Sequence, residues 1–410
     1  MTQQPTLKRT LSLPMMLLYG LGATIGAGIY VLIGDIAGIA GYYAPVSFLV
    51  ASLMAGFTAA SYAELSARLP FAAGSAVYVS EATGSRRLSL LVGLLVITAG
   101  LVSSAALLNG FVAYLNQFIV LDRGVAITLF ALLLGGIAAW GIAESVAIAG
   151  LITLIEVGGL VLVIVSSHDA LATLPDRWHE LVPSFGIGDW SGIYAAALLS
   201  FYALIGFEDM VVVAEEVREA ERKLPLAILL TLALTTALYM TVMIAAVLTL
   251  TPQALSASEV ALARVYEINS GGDAGIIHLI GTVAIINGVL IQIIMASRMI
   301  YGLSARGQLP TRLGAVNRRT RTPVVATAIV TAIVLTLALL GRLATLAEMT
   351  SLIMLAVFVM VNFSLWRIKR RHPRPAGIRV FPLWVPIAGL LFSALFVLSG
   401  TWNMFRVYAL

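Results

Sequence analysis

Of 410 residues, 60% are hydrophobic and only 11% are charged, with a mean hydropathy of +0.99, whereas water-soluble domains run to about 45–50% apolar and about 25% charged. So much apolar surface cannot be hidden from water, and apolar stretches of about 20 residues recur from end to end, which excludes an anchored soluble domain and a β-barrel. The absence of cysteine rules out a disulfide framework and a thiolate metal site, and the net charge of +5 is placed by its distribution below.

Eleven spans are predicted, over roughly 12–34, 43–67, 88–116, 124–141, 144–166, 190–213, 225–250, 274–304, 323–341, 346–366 and 381–405. The first is too long for a cleavable signal and reads as a true membrane helix. The segment Ser75–Ser85 reads as an amphipathic helix lying at the inner face or extending the third span. The connections are short, the longest being roughly 167–189 and 251–273, so no catalytic domain fits between the spans. Four scattered histidines (His168, His179, His278 and His372) form no metal-ligand motif, and no cofactor is expected.

Charge sets the orientation. With the N-terminus inside, nineteen of the 25 Lys/Arg fall in inner connections: Lys8–Arg9, Arg68 with Arg86–Arg87, Arg218 to Lys223, Arg306 to Arg321, and Arg367 to Arg379. Five fall outside (Arg123, Arg177, Arg264, Arg342 and Arg406), and Arg298 lies within a span. Cytoplasmic loops carry the Lys/Arg excess, so the basic balance is a topology signal and no nucleic-acid partner is expected. The reading is a multi-pass protein of the cell inner (plasma) membrane, N-terminus cytoplasmic and C-terminus outside.

Two spans are built to break. Gly20, Gly22, Gly26 and Gly28 crowd the first, and each glycine costs about 1 kcal/mol in a helix interior relative to alanine. They serve either close helix packing or an unwound stretch near Ile25–Gly28, whose free amides would face a carboxylate. The sixth span offers the counterpart in Phe201-Tyr-Ala-Leu-Ile-Gly206-Phe-Glu208-Asp209. Interrupted segments at matched places in two five-span halves point to a transporter site built on inverted repeats. The expected fold is therefore all-α, about eleven transmembrane helices, with a five-plus-five inverted-repeat core broken in helices 1 and 6. Residues 1–366 would form that core, and 367–410 a cytoplasmic basic loop and one added span.

Charged residues in spans are costly and mark function by default. Glu156, mid-way along the fifth span with no basic residue in that span, is either an ion-coupling group or a hydrogen-bonded structural carboxyl. Glu64 and Arg68, four apart and hence neighbours on a helix, are gate candidates at the inner end of the second span, either an inner-gate or anchoring pair or a plain solvated interface pair. Glu208 and Arg298 are further gate candidates, and Asp209 accompanies Glu208 below the expected pocket. Ser103, Ser104, Asn109, Asn287 and Gln292 either line the pocket or join helices.

Several of these segments resemble the amino acid–polyamine–organocation (APC) superfamily. Gly22-Ala-Thr-Ile-Gly-Ala-Gly-Ile29 is similar to its first-helix glycine signature. Pro70-Phe-Ala-Ala-Gly-Ser-Ala-Val-Tyr78 is similar to its P-x-A-G-G-x-Y segment, with Ser75 in place of the second glycine. Phe201–Glu208 with Ala214-Glu-Glu-Val217 and Leu224-Pro225 resembles the sixth helix and its exit. Ser297-Arg-Met-Ile-Tyr301 and Ala305-Arg-Gly-Gln-Leu-Pro310 resemble the exit of the eighth. The resemblance implies a LeuT-like fold and a substrate held between helices 1 and 6. Its carboxylate would meet first-helix amides near Ile25, Gly26 and Gly28, and its ammonium sixth-helix carbonyls near Phe201, Ala203 and Ile205; Thr24 and Tyr202 are further substrate-binding candidates. Some proton-coupled members carry a lysine in this region, and a glutamate reverses that charge.

The function implied is secondary active transport of amino acids by alternating access, coupled to protons or by exchange. A polyamine or other cationic amine is the competing substrate, favoured if Glu156 is charged and faces the pocket. No G-x-x-x-x-G-K-[ST] motif is present, and an enzyme is not expected, for want of clustered ligands. A channel or a membrane sensor is the alternative of another class.

Overall fold

The computed structural model describes residues 11–408 apart from 27, 72–73, 117, 141–142, 185, 318, 321 and 376; Lys8, Arg9, Arg318 and Arg321 of the charge reading lie outside the described residues. The chain forms α1 (Leu13–Ile25), α2 (Gly28–Ala40), α3 (Ala44–Arg68), α4 (Gly74–Thr83), α5 (Arg86–Leu115) and α6 (Arg123–Trp140). Then come α7 (Ala143–Ser166), α8 (His168–Ala172), α9 (Leu174–Arg177) and α10 (Ile187–Leu204), which runs on as a 3-10 helix over Phe207–Glu216. The remainder is α11 (Ala220–Thr249), α12 (Pro252–Ser256), α13 (Ala261–Ser270), α14 (Gly275–Ala305), α15 (Val324–Leu340), α16 (Leu343–Arg371) and α17 (Trp384–Tyr408). Helix starts carry suitable chemistry. Pro14, Pro45, Pro175 and Pro252 occupy first turns, where a missing N–H removes no bond. The side chains of Ser85 and Thr251 accept the amides of Leu88 and Ala254.

Among the described residues nine stretches are long and apolar enough to cross a bilayer; one of them, Gly28–Arg68, holds both α2 and α3, while α1 and α15 are shorter apolar helices. The expected spans appear in the expected order: α1 with α2, then α3, α5, α6, α7, α10 with its 3-10 continuation, α11, α14, α15, α16 and α17. This is an all-α, multi-pass membrane protein.

Packing repeats with a shift of five spans. α2 lies on α10, α3 on α11, α5 on α14 and α6 on α15, each helix on its counterpart from the other half. The cross-contacts repeat as well. α1 packs on α7 as α10 packs on α16, α14 on α7 as α5 on α16, and α1 on α11 as α10 on α3. Five crossings separate each pair, so counterparts run in opposite directions. α17 stands outside this pattern, against α16 and α3.

The connections sort to two ends. At the basic end, Arg68 donates to the carbonyls of His372 and Pro373, Arg86 to that of Gly307, and Gln308 to Ser89. At the opposite end, Arg123 donates to the carbonyls of Ala338 and Gly341, and Asn269 to Ser167 and Thr249. The connections 167–189 and 251–273 are short helices more than loops. α12 and α13 pack on α2, with Leu255, Leu262 and Val265 fully buried. Arg177 donates to both oxygens of Glu180 at 2.9 and 2.8 Å, which holds that carboxyl below its usual range.

One expectation is corrected in part. The Ser75–Ser85 segment lies between the inner ends of α3 and α5 and does not extend the third span. It is the separate helix α4, packed on α5 and α16, with Ser75, Ala76, Val77, Tyr78, Val79 and Ala82 all buried. Its polar residues made it look amphipathic, but they find partners inside: Ser75 shares a hydrogen bond with Tyr62 (2.8 Å), and Ser89 donates to the Ala76 carbonyl (2.8 Å).

Candidate functional site

α1 stops at Ile25, Gly26 takes φ +24°, and helix resumes at Gly28. The sixth span stops at Leu204, Ile205 is extended (φ −66°, ψ 139°), and Gly206 takes φ +135°. Beyond it the chain winds as a ten-residue 3-10 helix. Such runs rarely exceed three or four residues, and long ones mark hinges or strain. The two breaks touch. A Cβ on Gly28 would stand 2.9 Å from the Ala203 Cα, and a Cβ on Gly206 would stand 2.7 Å from the Thr24 amide nitrogen and closer still to the Ala23 carbonyl. Only glycine lets these backbones meet.

The released backbone groups are partly satisfied. Thr24 Oγ1 donates to the Gly20 carbonyl (2.8 Å), and Tyr239 of α11 donates to the carbonyls of Thr24 and Ile25, both at 3.0 Å. Glu208 turns back so that its carboxylate accepts the Gly206 amide at 2.9 Å, and Asp209 accepts from Gln292 of α14 at 2.8 Å. Tyr202 shares a hydrogen bond with Ser103 of α5 (3.3 Å). Phe201 and Phe207 pack on Phe358 of α16, ring centroids 5.6 Å away in each case. Thr24, Ile25, Gly26, Gly28, Phe201, Tyr202 and Ala203 are buried and Ile205 is half-buried.

Behind the first break lies a polar cluster. Glu156 is wholly buried on α7, and its Oε1 accepts from Asn287 Nδ2 at 2.8 Å. Tyr30 donates to the Glu156 backbone carbonyl, and Tyr114 to that of Tyr30, each at 2.8 Å. A Cβ on Gly22 would lie 3.3 Å from Asn287 Nδ2, so the cluster abuts the first half-helix. Among the described residues, Glu156 Oε2 and Asn287 Oδ1 are buried and receive no hydrogen bond.

At the basic end, Glu64 is an anchor for two helices. It accepts from Arg68 at 3.0 and 2.6 Å, from Lys369 at 2.9 and 2.7 Å, and from the Phe381 amide at 2.8 Å. The sequence places Lys369 in a basic loop, but α16 runs on to Arg371 and carries it inward, 7% exposed, onto Glu64. Leu11, leading into α1, forms a parallel bridge with Val217 at the exit of the sixth span, and the Arg218 amide donates to its carbonyl (3.0 Å). Arg298 is half-buried on α14, about two turns from that helix's end at Ala305.

Thus the structure gathers Thr24, Ile25, Gly26, Gly28, Phe201, Tyr202, Ala203 and Ile205 at the crossing, with Glu156 behind it and Glu64 and Arg68 at the basic end. Asn109 is placed elsewhere: it donates to the Ala338 carbonyl (3.1 Å) and accepts from Arg123. Tyr239, Tyr30 and Phe358 were not singled out from sequence, because an aromatic in an apolar span carries no mark of its hydrogen bond or ring partner.

A family model described as amino acid permease matches residues 11–406. A vacuolar cationic amino acid transporter 2 of Arabidopsis thaliana is 30% identical over 87% of the chain, which spans only 59% of that relative's length. Two proteins of Bacillus subtilis are matched almost throughout, each at 27% identity. They are a methylthioribose transporter (99% of this chain, 92% of the relative) and the branched-chain amino acid permease BcaP (97% and 90%).

Proposed function

The chain belongs to the amino acid permease family of the APC superfamily, and we propose that it carries a neutral amino acid by alternating access, coupled to a proton at Glu156. The observation that carries this reading is the crossing of the two breaks. Gly28 and Gly206 bring backbone against backbone, so amides from one half-helix and carbonyls from the other serve a single zwitterion. Neutral substrate is favoured because the nearby carboxylates are already engaged, Glu208 by Gly206 and Asp209 by Gln292. A cationic amine is the second reading, supported by Glu156 Oε2, which receives no hydrogen bond from a described residue. The transport core ends with α16 at Arg371, and the basic segment beyond it with α17 is an added part. The protein is a carrier with no enzymatic step, seated in the cell inner membrane with its basic end in the cytoplasm.

Purified protein in vesicles should show saturable uptake and counterflow of a neutral amino acid such as leucine or alanine. Counterflow only with arginine, lysine or a polyamine would transfer the assignment to cationic amines. Flux that never saturates would make it a channel, and ligand-induced thermal stabilisation with no flux would make it a sensor. Orientation has its own test, clean because the chain has no cysteine. Cysteine at His179 or Glu259, both exposed, should react with an impermeant thiol reagent added outside intact cells. Cysteine at the exposed Val316 should react only after permeabilisation, and the opposite pattern reverses the topology.

A further inference from the structure

The junction of α16 and α17 holds a concentration of charge that transport does not use. From Met349 to Leu410 the sequence contains no aspartate or glutamate. Arg370, Arg371, Arg374 and Arg379 are all exposed there, and among the described residues none of them is paired with a carboxylate. A topology signal needs only the number of such charges. Here the segment that carries two of them is also anchored at both ends. The segment that follows α16 is pinned at its start by Arg68, which donates to the His372 carbonyl at 2.9 Å. It is pinned at its end by Phe381, whose amide donates to Glu64 and whose carbonyl accepts from Lys369. Both ends therefore rest on the same buried Glu64 cluster. The Arg370 guanidinium lies over the Trp366 ring, 5.2 Å from its centroid. Trp384, 60% exposed, opens α17 and packs edge-on against Phe57. Indole rings of this kind settle at the headgroup level of a bilayer.

We propose that this junction binds the phosphodiester headgroup of an anionic phospholipid. Arg370, Arg371, Arg374 and Arg379 are its phosphate ligands, and Trp366 and Trp384 fix its depth. Arginine suits the task because its planar fork donates two parallel hydrogen bonds to a phosphate, and basic clusters beside a membrane helix draw anionic lipid. A bound phosphate relieves repulsion among the cations gathered along this short stretch of chain. Because the segment is pinned to Glu64, that relief tightens the contact between α3 and α16.

The test uses the full chain in nanodiscs of phosphatidylcholine with a rising fraction of phosphatidylglycerol. Both faces meet the same lipid, so the outcome is independent of orientation. The thermal midpoint of the wild-type protein should rise saturably with phosphatidylglycerol and fall back in high salt. In the Arg371→Gln/Arg374→Gln variant the half-saturating fraction should rise by about fivefold for each arginine removed. The Arg371→Lys/Arg374→Lys variant keeps the charge and its topology signal, and should fall between the two. Arg87→Gln/Arg312→Gln, which removes exposed arginines elsewhere at the basic end, should behave as wild type. A wild-type midpoint indifferent to phosphatidylglycerol overturns the proposal. So does an equal loss in both Gln variants, or wild-type affinity in the Lys variant. Protection by soluble glycerol phosphate without anionic lipid would also overturn it, in favour of a free-phosphate site.

Discussion

Gly206→Val is expected to abolish uptake, and Gly28→Leu to lower it by at least about a hundredfold, the loss that follows when a reacting or binding group is displaced by about 1 Å. The two changes fail for related but separable reasons. At Gly206 the backbone holds φ +135°, which side-chain-bearing residues rarely adopt, and the added carbon would press on the Ala23 carbonyl and Thr24 amide. At Gly28 the helical conformation suits any residue, and the obstruction is steric alone, from the Ala203 backbone at 2.9 Å. Backbone cannot yield as a flexible side chain can, so the half-helices must separate and their polar groups no longer converge. Gly158→Ala is the control. It lies on α7 close to Glu156, but a Cβ there meets nothing within 4 Å, and uptake should be retained. Membrane insertion and thermal midpoint in detergent should be read alongside uptake. Normal substrate affinity in either break variant would place the binding site elsewhere and leave the glycines to packing.

The breaks could be read from sequence because glycine inside a membrane helix has an energetic cost that invites a reason, and because two such places fell at matched positions. The roles of individual polar residues were less legible. Asn287 and Gln292 are five apart on α14, about 140° around the helix, and so serve different partners: Asn287 reaches Glu156 on α7, while Gln292 reaches Asp209 on the sixth span. Sequence named both and could assign neither. Lys369 was misplaced because a helix end drawn one turn short turns a buried partner of Glu64 into a loop charge. α4 reads as amphipathic because serine is polar along the chain, yet serine buries readily once a tyrosine or a carbonyl accepts it. Tyr239 was invisible for the opposite reason, since its hydroxyl acts on carbonyls that exist as free acceptors only after α1 has ended.

Glu156→Gln is expected to keep substrate exchange and lose gradient-driven accumulation. Glutamine copies the shape of a protonated carboxyl, and the site is suited to receive it. Its carbonyl can accept from Asn287 Nδ2 as Glu156 Oε1 does now, and its amide stands where Oε2 stands, beside an Asn287 whose own Oδ1 receives no hydrogen bond from a described residue. Folding should therefore survive, and so should a counterflow cycle that needs no net proton movement. What is lost is the proton itself. One pH unit across the membrane is worth about 1.4 kcal/mol per proton, roughly a tenfold accumulation for one-to-one symport. Wild-type vesicles under an inward proton gradient should approach that ratio, unaffected when choline replaces sodium. The variant should equilibrate near a ratio of one. Glu156→Leu supplies a comparison, since it removes both oxygens and leaves the Asn287 amide without its acceptor, and it should impair exchange as well. A Glu156→Gln variant that still accumulates substrate on a pH gradient is incompatible with Glu156 as the coupling group, and its carboxyl is then a hydrogen-bonded strut between α7 and α14.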